Sequence, residues 1–268
     1  MRPGRPAARI QTFLIATLLA ASFLAGSARA DEQRAARLGL ALSGMVTSLS
    51  PDLINDGIDQ VNNGVRVLGE ESNAIPAPIS HIKAGGFFQV EGRFFISDKL
   101  VAVAGFGRIQ RTSQQELLPG AGRRLLMKGQ ILGVPRHIGM DYYFTPYTRG
   151  DLTWRPFLGG GFMDVVEAHG RVGAEFTSPD TIVSVFQRTR GEGPGYFLEG
   201  GVHLMLPGRY SFIASVNYHH VKADRLTLED AHGNTFGYLL DENGDPEVLD
   251  FSGIGLKVAL NINIKNKF

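Results

Sequence analysis

Apolar residues recur at every second position over long stretches of this chain. Near the C-terminal end, Ile254, Leu256, Val258, Leu260, Ile262 and Ile264 alternate with Gly255, Lys257, Ala259, Asn261, Asn263 and Lys265, and Phe268 continues the apolar phase. A period of two marks a β-strand with one apolar face and one polar or small face. The same alternation carries Ile82, Ala84, Gly86, Phe88, Val90, Gly92, Phe94 and Ile96 against Lys83, Gln89, Glu91 and Arg93. It returns over residues 38–46, 100–109, 131–144, 154–165, 196–206 and 210–218, which makes eight predicted strands. Soluble strands usually run to five or six residues, whereas a tilted strand needs ~9–11 to cross the hydrocarbon of a bilayer. Arg136 beside Pro135 breaks the apolar phase of its strand and predicts a bulge there.

The connections alternate in length. Short ones fall near residues 97–99, 145–153 and 207–209, and long ones span 47–79, 110–129, 166–195 and 222–250. Short turns on one side and long loops on the other is the plan of an outer-membrane barrel. Phe94, Phe95, Tyr142, Tyr143, Phe144, Tyr147, Trp154, Tyr210, Phe212 and Phe268 gather at the short-turn ends. Phe106, Phe162, Tyr196, Phe197, Tyr218 and Phe251 gather towards the long loops, so the two groups read as interfacial girdles. The expected fold is all-β: an eight-stranded antiparallel up-and-down transmembrane β-barrel in one domain.

Alternation alone does not say which face points outwards. A soluble carrier barrel turns its apolar face in, and a membrane barrel turns it out to lipid. The polar face here mixes Gly85, Gly201, Ala259 and Asn261 with charged residues. That mixture fits the narrow interior of eight strands, filled by side chains that bond to one another. The predicted lumen set is Lys83, Glu91, Arg93, Glu199, His203 and Lys257.

Composition narrows the picture. The chain has 268 residues, 34 of them glycine and none cysteine, which excludes a disulfide scaffold and thiolate chemistry. Arg2, Arg5 and Arg9 precede an apolar stretch over residues 10–26, and Ala28-Arg29-Ala30 forms a small-residue cleavage pattern. This reads as a signal peptide for the Sec route over residues 1–30, cleaved after Ala30, leaving 31–268 as the barrel domain. Cleavage would remove four arginines and no acid, taking the net charge from +1 to −3. No nucleic-acid partner is expected from that balance.

Several segments resemble OmpW-like proteins of the OmpA-like barrel superfamily. Arg93-Phe94-Phe95-Ile96-Ser97-Asp98-Lys99-Leu100 resembles the strand–turn–strand of small outer-membrane barrels. Asp141-Tyr142-Tyr143-Phe144 with Trp154-Arg155-Pro156-Phe157-Leu158-Gly159-Gly160-Gly161, and Gly208-Arg209-Tyr210-Ser211-Phe212 to Tyr218, resemble the following hairpins. Leu260, Ile262, Ile264 and Phe268 resemble the signal read by the barrel-assembly machinery, with Asn266 standing where an apolar residue is usual. The resemblance implies residence in the outer membrane among lipid and lipopolysaccharide. It also implies biogenesis through that machinery and periplasmic chaperones, and a narrow channel or binding lumen for small apolar molecules. Two other readings stay open: a structural or adhesive surface protein acting through its long loops, and a soluble periplasmic carrier.

Catalytic and metal chemistry is thin. Barrel-embedded lipid A deacylases carry a His-x-Ser pair, and none of the seven histidines here has Ser two residues later. No enzymatic activity and no cofactor are expected. Asp241, Asn243 and Asp245 resemble the start of a calcium loop, but Pro246 and Ser252 replace the Gly and Glu that an EF-hand needs. Arg123, Arg124 and Lys128 are candidates to face lipopolysaccharide phosphates.

Overall fold

A computed structural model describes residues 38–264 apart from 50, 72–76, 121–122, 231–233 and 242. The signal peptide expected over residues 1–30, and Phe268, lie outside the described residues. Eight strands pair in antiparallel order and close on themselves: β1 (Leu38–Ser48), β2 (Ala84–Phe95), β3 (Leu100–Gly120), β4 (Arg123–Tyr143), β6 (Leu152–Ser178), β7 (Thr181–Met205), β8 (Tyr210–Glu229) and β11 (Gly253–Ile264). Closure comes where Leu38 pairs with Ile264 and Thr47 with Gly255. Three short pieces, β5 (Tyr147–Arg149), β9 (Thr235–Tyr238) and β10 (Leu249–Asp250), attach to β6 and β8. Closure removes every sheet edge in the ring, which a strand in lipid requires because its backbone groups have no water to bond.

The polarity of this barrel is inverted. Phe88, Phe106, Ile138, Leu158, Phe162, Leu198, Ile254 and Leu256 stand outwards, each more than half exposed. Glu91, Arg93, Glu199, His203 and Lys257 on the opposite face are almost wholly buried. Only lipid makes that arrangement stable, and a soluble carrier would have the faces exchanged. The aromatic girdles are thinner than the sequence suggests. Tyr143, Phe197 and Phe251 point inwards and are buried. In each doublet, such as Tyr142-Tyr143 or Tyr196-Phe197, alternation sends only one ring to lipid.

Two connections differ from the loops expected. The spans 110–129 and 166–195 are largely strand: β3 and β4 pair to Leu117–Leu125, and β6 and β7 pair to Ser178–Thr181. These ladders extend the wall far beyond the girdle. A bulge shifts the register between Val134 and Pro135, as Pro135 and Arg136 predict, and Arg136 faces outwards onto Asp164.

The span 47–79 holds a helix, α1 (Asp52–Glu71). Leu53, Ile54, Ile58, Val61 and Val65 recur at helical spacing and form one apolar stripe. Ile54 and Ile58 are buried in the barrel mouth over Gly129 and Gly170. A β-carbon at Gly129 would lie 2.6 Å from Ile58 Cδ1, and one at Gly170 would lie 2.7 Å from Ile54 Cδ1. The helix lies this close because those wall positions carry no side chain.

Candidate functional site

The middle of the lumen is a single bonded network. Lys257 on β11 donates to Glu199 Oε2 at 2.9 Å and to Glu91 Oε2 at 3.3 Å. Arg93 on β2 donates to Glu91, to Asp141 and, at 3.0 Å, to Tyr143 Oη. His137 Nε2 lies 3.0 Å from Glu91 Oε2. Ser215 and Asn217 of β8 donate to the two oxygens of Glu199 at 2.8 and 3.3 Å. The Lys257–Glu91 bond passes β1, the Arg93–Asp141 bond passes β3 and the Tyr143–His203 bond (2.9 Å) passes β6. Each therefore bridges the interior instead of running along one ladder.

The packing around these charges is specific. A β-carbon at Gly159 would sit 1.9 Å from Asp141 Oδ1, so that wall position is left bare for the carboxylate. Side chains of Glu91, Arg93, Glu199 and Lys257 expose between 1% and 4% of their surface, so the charges are withdrawn from bulk solvent and paired with one another.

Both ends of the lumen are also filled. Towards the short turns, His203 Nε2 lies 2.7 Å from Ser211 Oγ, and Asn261 donates to Ser211 Oγ at 3.0 Å. Tyr143 stacks on Phe157 at 5.4 Å between ring centres, with Arg155 4.9 Å from the Tyr143 ring. Arg155 also donates to the Asp98 carbonyl in the β2–β3 turn. Towards the long loops, Ile109, Met127, Ile131, Val165 and Phe251 are buried in one apolar cluster with Ile54 and Ile58 of α1.

Glu91, Arg93, Glu199, His203 and Lys257 of the predicted lumen set thus lie together inside the barrel. Lys83 does not. It is exposed and precedes β2, where its carbonyl accepts from the Leu49 N–H at 3.0 Å. Its place in the alternation is correct, but the strand begins one residue later. Asp141, Tyr143 and His137 belong to the network and were not in the predicted set. The inward phase of β4 could have found them, had the doublet at Tyr142-Tyr143 not been read wholly as girdle.

Leu260, Ile262 and Ile264 lie on the lipid-facing side of β11, opposite Leu42, Leu40 and Leu38. In the calcium-like segment, Asp241 Oδ1 accepts from the N–H groups of Asn243 (2.8 Å) and Asp245 (2.9 Å), so it caps a turn. Those N–H groups, Asp245 foremost, hold its carboxyl below the usual range. No cluster of three acidic or histidine side chains able to hold a metal ion occurs among the described residues. Arg123 and Arg124 are exposed at the tip of the β3–β4 ladder, where Arg124 pairs with Glu116 at 2.8 Å.

The fold and its inside-out polarity define a closed, membrane-spanning eight-stranded barrel. Solved structures of small outer-membrane proteins are similar to it. OprG from Pseudomonas aeruginosa shares 11% identity at a TM-score of 0.44, covering 88% of this chain and 99% of that one. Neisserial surface protein A shares 10% at 0.40, covering 85% and 97%. AlkL, solved in DMPC bilayers, shares 13% at 0.37, covering 91% and 94%. No family profile and no curated protein sequence matches the chain.

Proposed function

We propose that this is an outer-membrane protein whose barrel is a closed anchor for a surface platform. The platform consists of α1 and the tall β3–β4 and β6–β7–β8 ladders. One observation carries the reading: the Arg93–Glu91–Lys257–Glu199 network bridges the lumen, with α1 seated over one mouth and the Tyr143–Phe157 stack near the other. A conduit for small apolar molecules would have to part these buried charges and leave them unpaired, which is costly. The apolar girdle supports residence in a bilayer, and the export leader expected from the sequence supports the outer membrane. The resemblance to OmpW-like proteins supports the same compartment.

Conductance of the refolded barrel in planar bilayers tests the reading. A silent bilayer is the expected result, and reproducible single-channel steps from the folded barrel would favour the conduit. Trimming the β6–β7 ladder above Val165 should alter binding to cells or matrix and leave the barrel folded.

A further inference from the structure

We propose that a pocket on the platform binds a linear polyamine. The pocket encloses about 450 Å³ between α1, the outer halves of β6 and β7, and residues 239–241, 243 and 247. That volume suits a small organic ligand. The proposal rests on the platform reading, because it needs these elements to stand outside the bilayer.

The chemistry of the lining selects the ligand. Asp56, Asp241 and Glu247 line the pocket, and no Lys, Arg or His is among its described lining residues. Leu53, Val172 and Leu240 supply apolar wall in the same lining. These carboxylates belong to no cluster that holds one metal ion. Carboxylates mixed with apolar wall match ammonium groups joined by methylene segments. An anion would meet only like charge, and a single small cation would leave most of the wall uncovered.

A second observation lies at the floor. Thr189 lines the pocket at 3% exposure, and its Oγ1 has no hydrogen-bond partner. A β-carbon at Gly170, also in the lining, would lie 2.6 Å from that oxygen. Gly170 pairs with Thr189 across the β6–β7 ladder and puts no side chain of its own against that oxygen, so the enclosed hydroxyl keeps lone pairs free to accept an ammonium N–H. Buried hydroxyls are rarely left unpaired without a reason.

The test is calorimetric titration of spermidine into the refolded full chain in detergent, with MgCl₂ and butylamine as comparison ligands at matched ionic strength. Saturable binding of spermidine is expected, with butylamine weaker and Mg²⁺ a poor competitor. The double substitution Asp56→Asn/Glu247→Gln should weaken binding by at least about tenfold. Thr189→Val, nearly isosteric, should weaken it by about threefold or more. Gel mobility with and without boiling establishes that each variant is folded. No saturable binding, equal competition by Mg²⁺, or affinity unchanged in folded variants would overturn the proposal. Failure here with a silent bilayer leaves the anchor reading intact, whereas conducting steps count against that reading without touching the binding result.

Discussion

Asn62 of α1 exchanges two hydrogen bonds with the backbone of Ile79: the Ile79 N–H donates to Oδ1 at 2.8 Å, and Nδ2 donates to the carbonyl at 3.0 Å. Seven residues earlier, two helical turns away, Asn55 makes the same pair with Ile82, at 2.8 and 3.2 Å. The two amides clamp one extended segment along one side of the helix, while Ile54 and Ile58 anchor its apolar stripe. Replacing both asparagines by alanine removes four bonds, at a cost of about 2–4 kcal/mol to helix docking. The expected outcome is protease cleavage within α1 at concentrations that leave the parent uncut. The barrel itself should keep its gel mobility shift on boiling.

The lumen network yields the opposite behaviour. Lys257 compensates both Glu91 and Glu199 in the buried interior. Lys257→Met leaves two buried carboxylates short of a cation, and losing one partner of a buried pair costs about 3–5 kcal/mol. The urea midpoint of refolded protein should fall accordingly. Adding Glu199→Gln to that variant should recover part of the loss, since a neutral amide still accepts from Ser215. If the double variant is no better than the single, the network is not coupled through Lys257.

The barrel wall was legible in the sequence because strand alternation is local. Each lipid-facing position from Leu38 to Ile264 is set by its immediate neighbours and by the solvent outside. The helix was not legible, because Asn55-Asp56-Gly57 and Asn62-Asn63-Gly64 carry the composition of turns. Their asparagines are satisfied by Ile79 and Ile82, across the long connection, and sequence gives no hint of that pairing. The lengths of β6 and β7 were hidden likewise: Thr181-Ile182-Val183-Ser184-Val185 has strand propensity but lies beyond the girdle, where no apolar face is required. The lumen set was partly legible, through charges in strand phase. Asp141 needed the register that sets it against the bare Gly159.

The turn at Asp241 carries a pH dependence outside the membrane. Its carboxyl is held low by the N–H groups of Asp245 and Asn243, so the charged form favours the ordered turn. That contribution is present above the ordinary carboxylate range and is lost as pH falls through the depressed value. Acidification should therefore loosen the turn that Asp241 makes with Asn243 and Asp245. The protection factors of the Asn243 and Asp245 amides, with the intrinsic pH dependence of exchange divided out, should fall at low pH in the parent and be low at all pH values in Asp241→Ala. Exchange at those two amides that ignores both changes would show that the carboxylate does not hold the turn.

Leu256 tells lipid from water on the outer face. It stands on β11 at 69% exposure, opposite Val46 and Val216, within the girdle. If water surrounded it, Leu256→Arg would shift stability by about half a kcal/mol at most, as exposed substitutions usually do. In hydrocarbon, the same arginine costs about 2–4 kcal/mol near the bilayer midplane, and less towards the interfaces. The measurement is reversible urea unfolding from phospholipid vesicles, comparing Leu256→Arg with Val183→Arg. Val183 is 51% exposed on the tall β7 extension, which the platform reading places in water. A large loss at 256 with none at 183 is expected. Equal, small effects at both positions would mean that the girdle faces water, and the membrane reading of the barrel would fall with it.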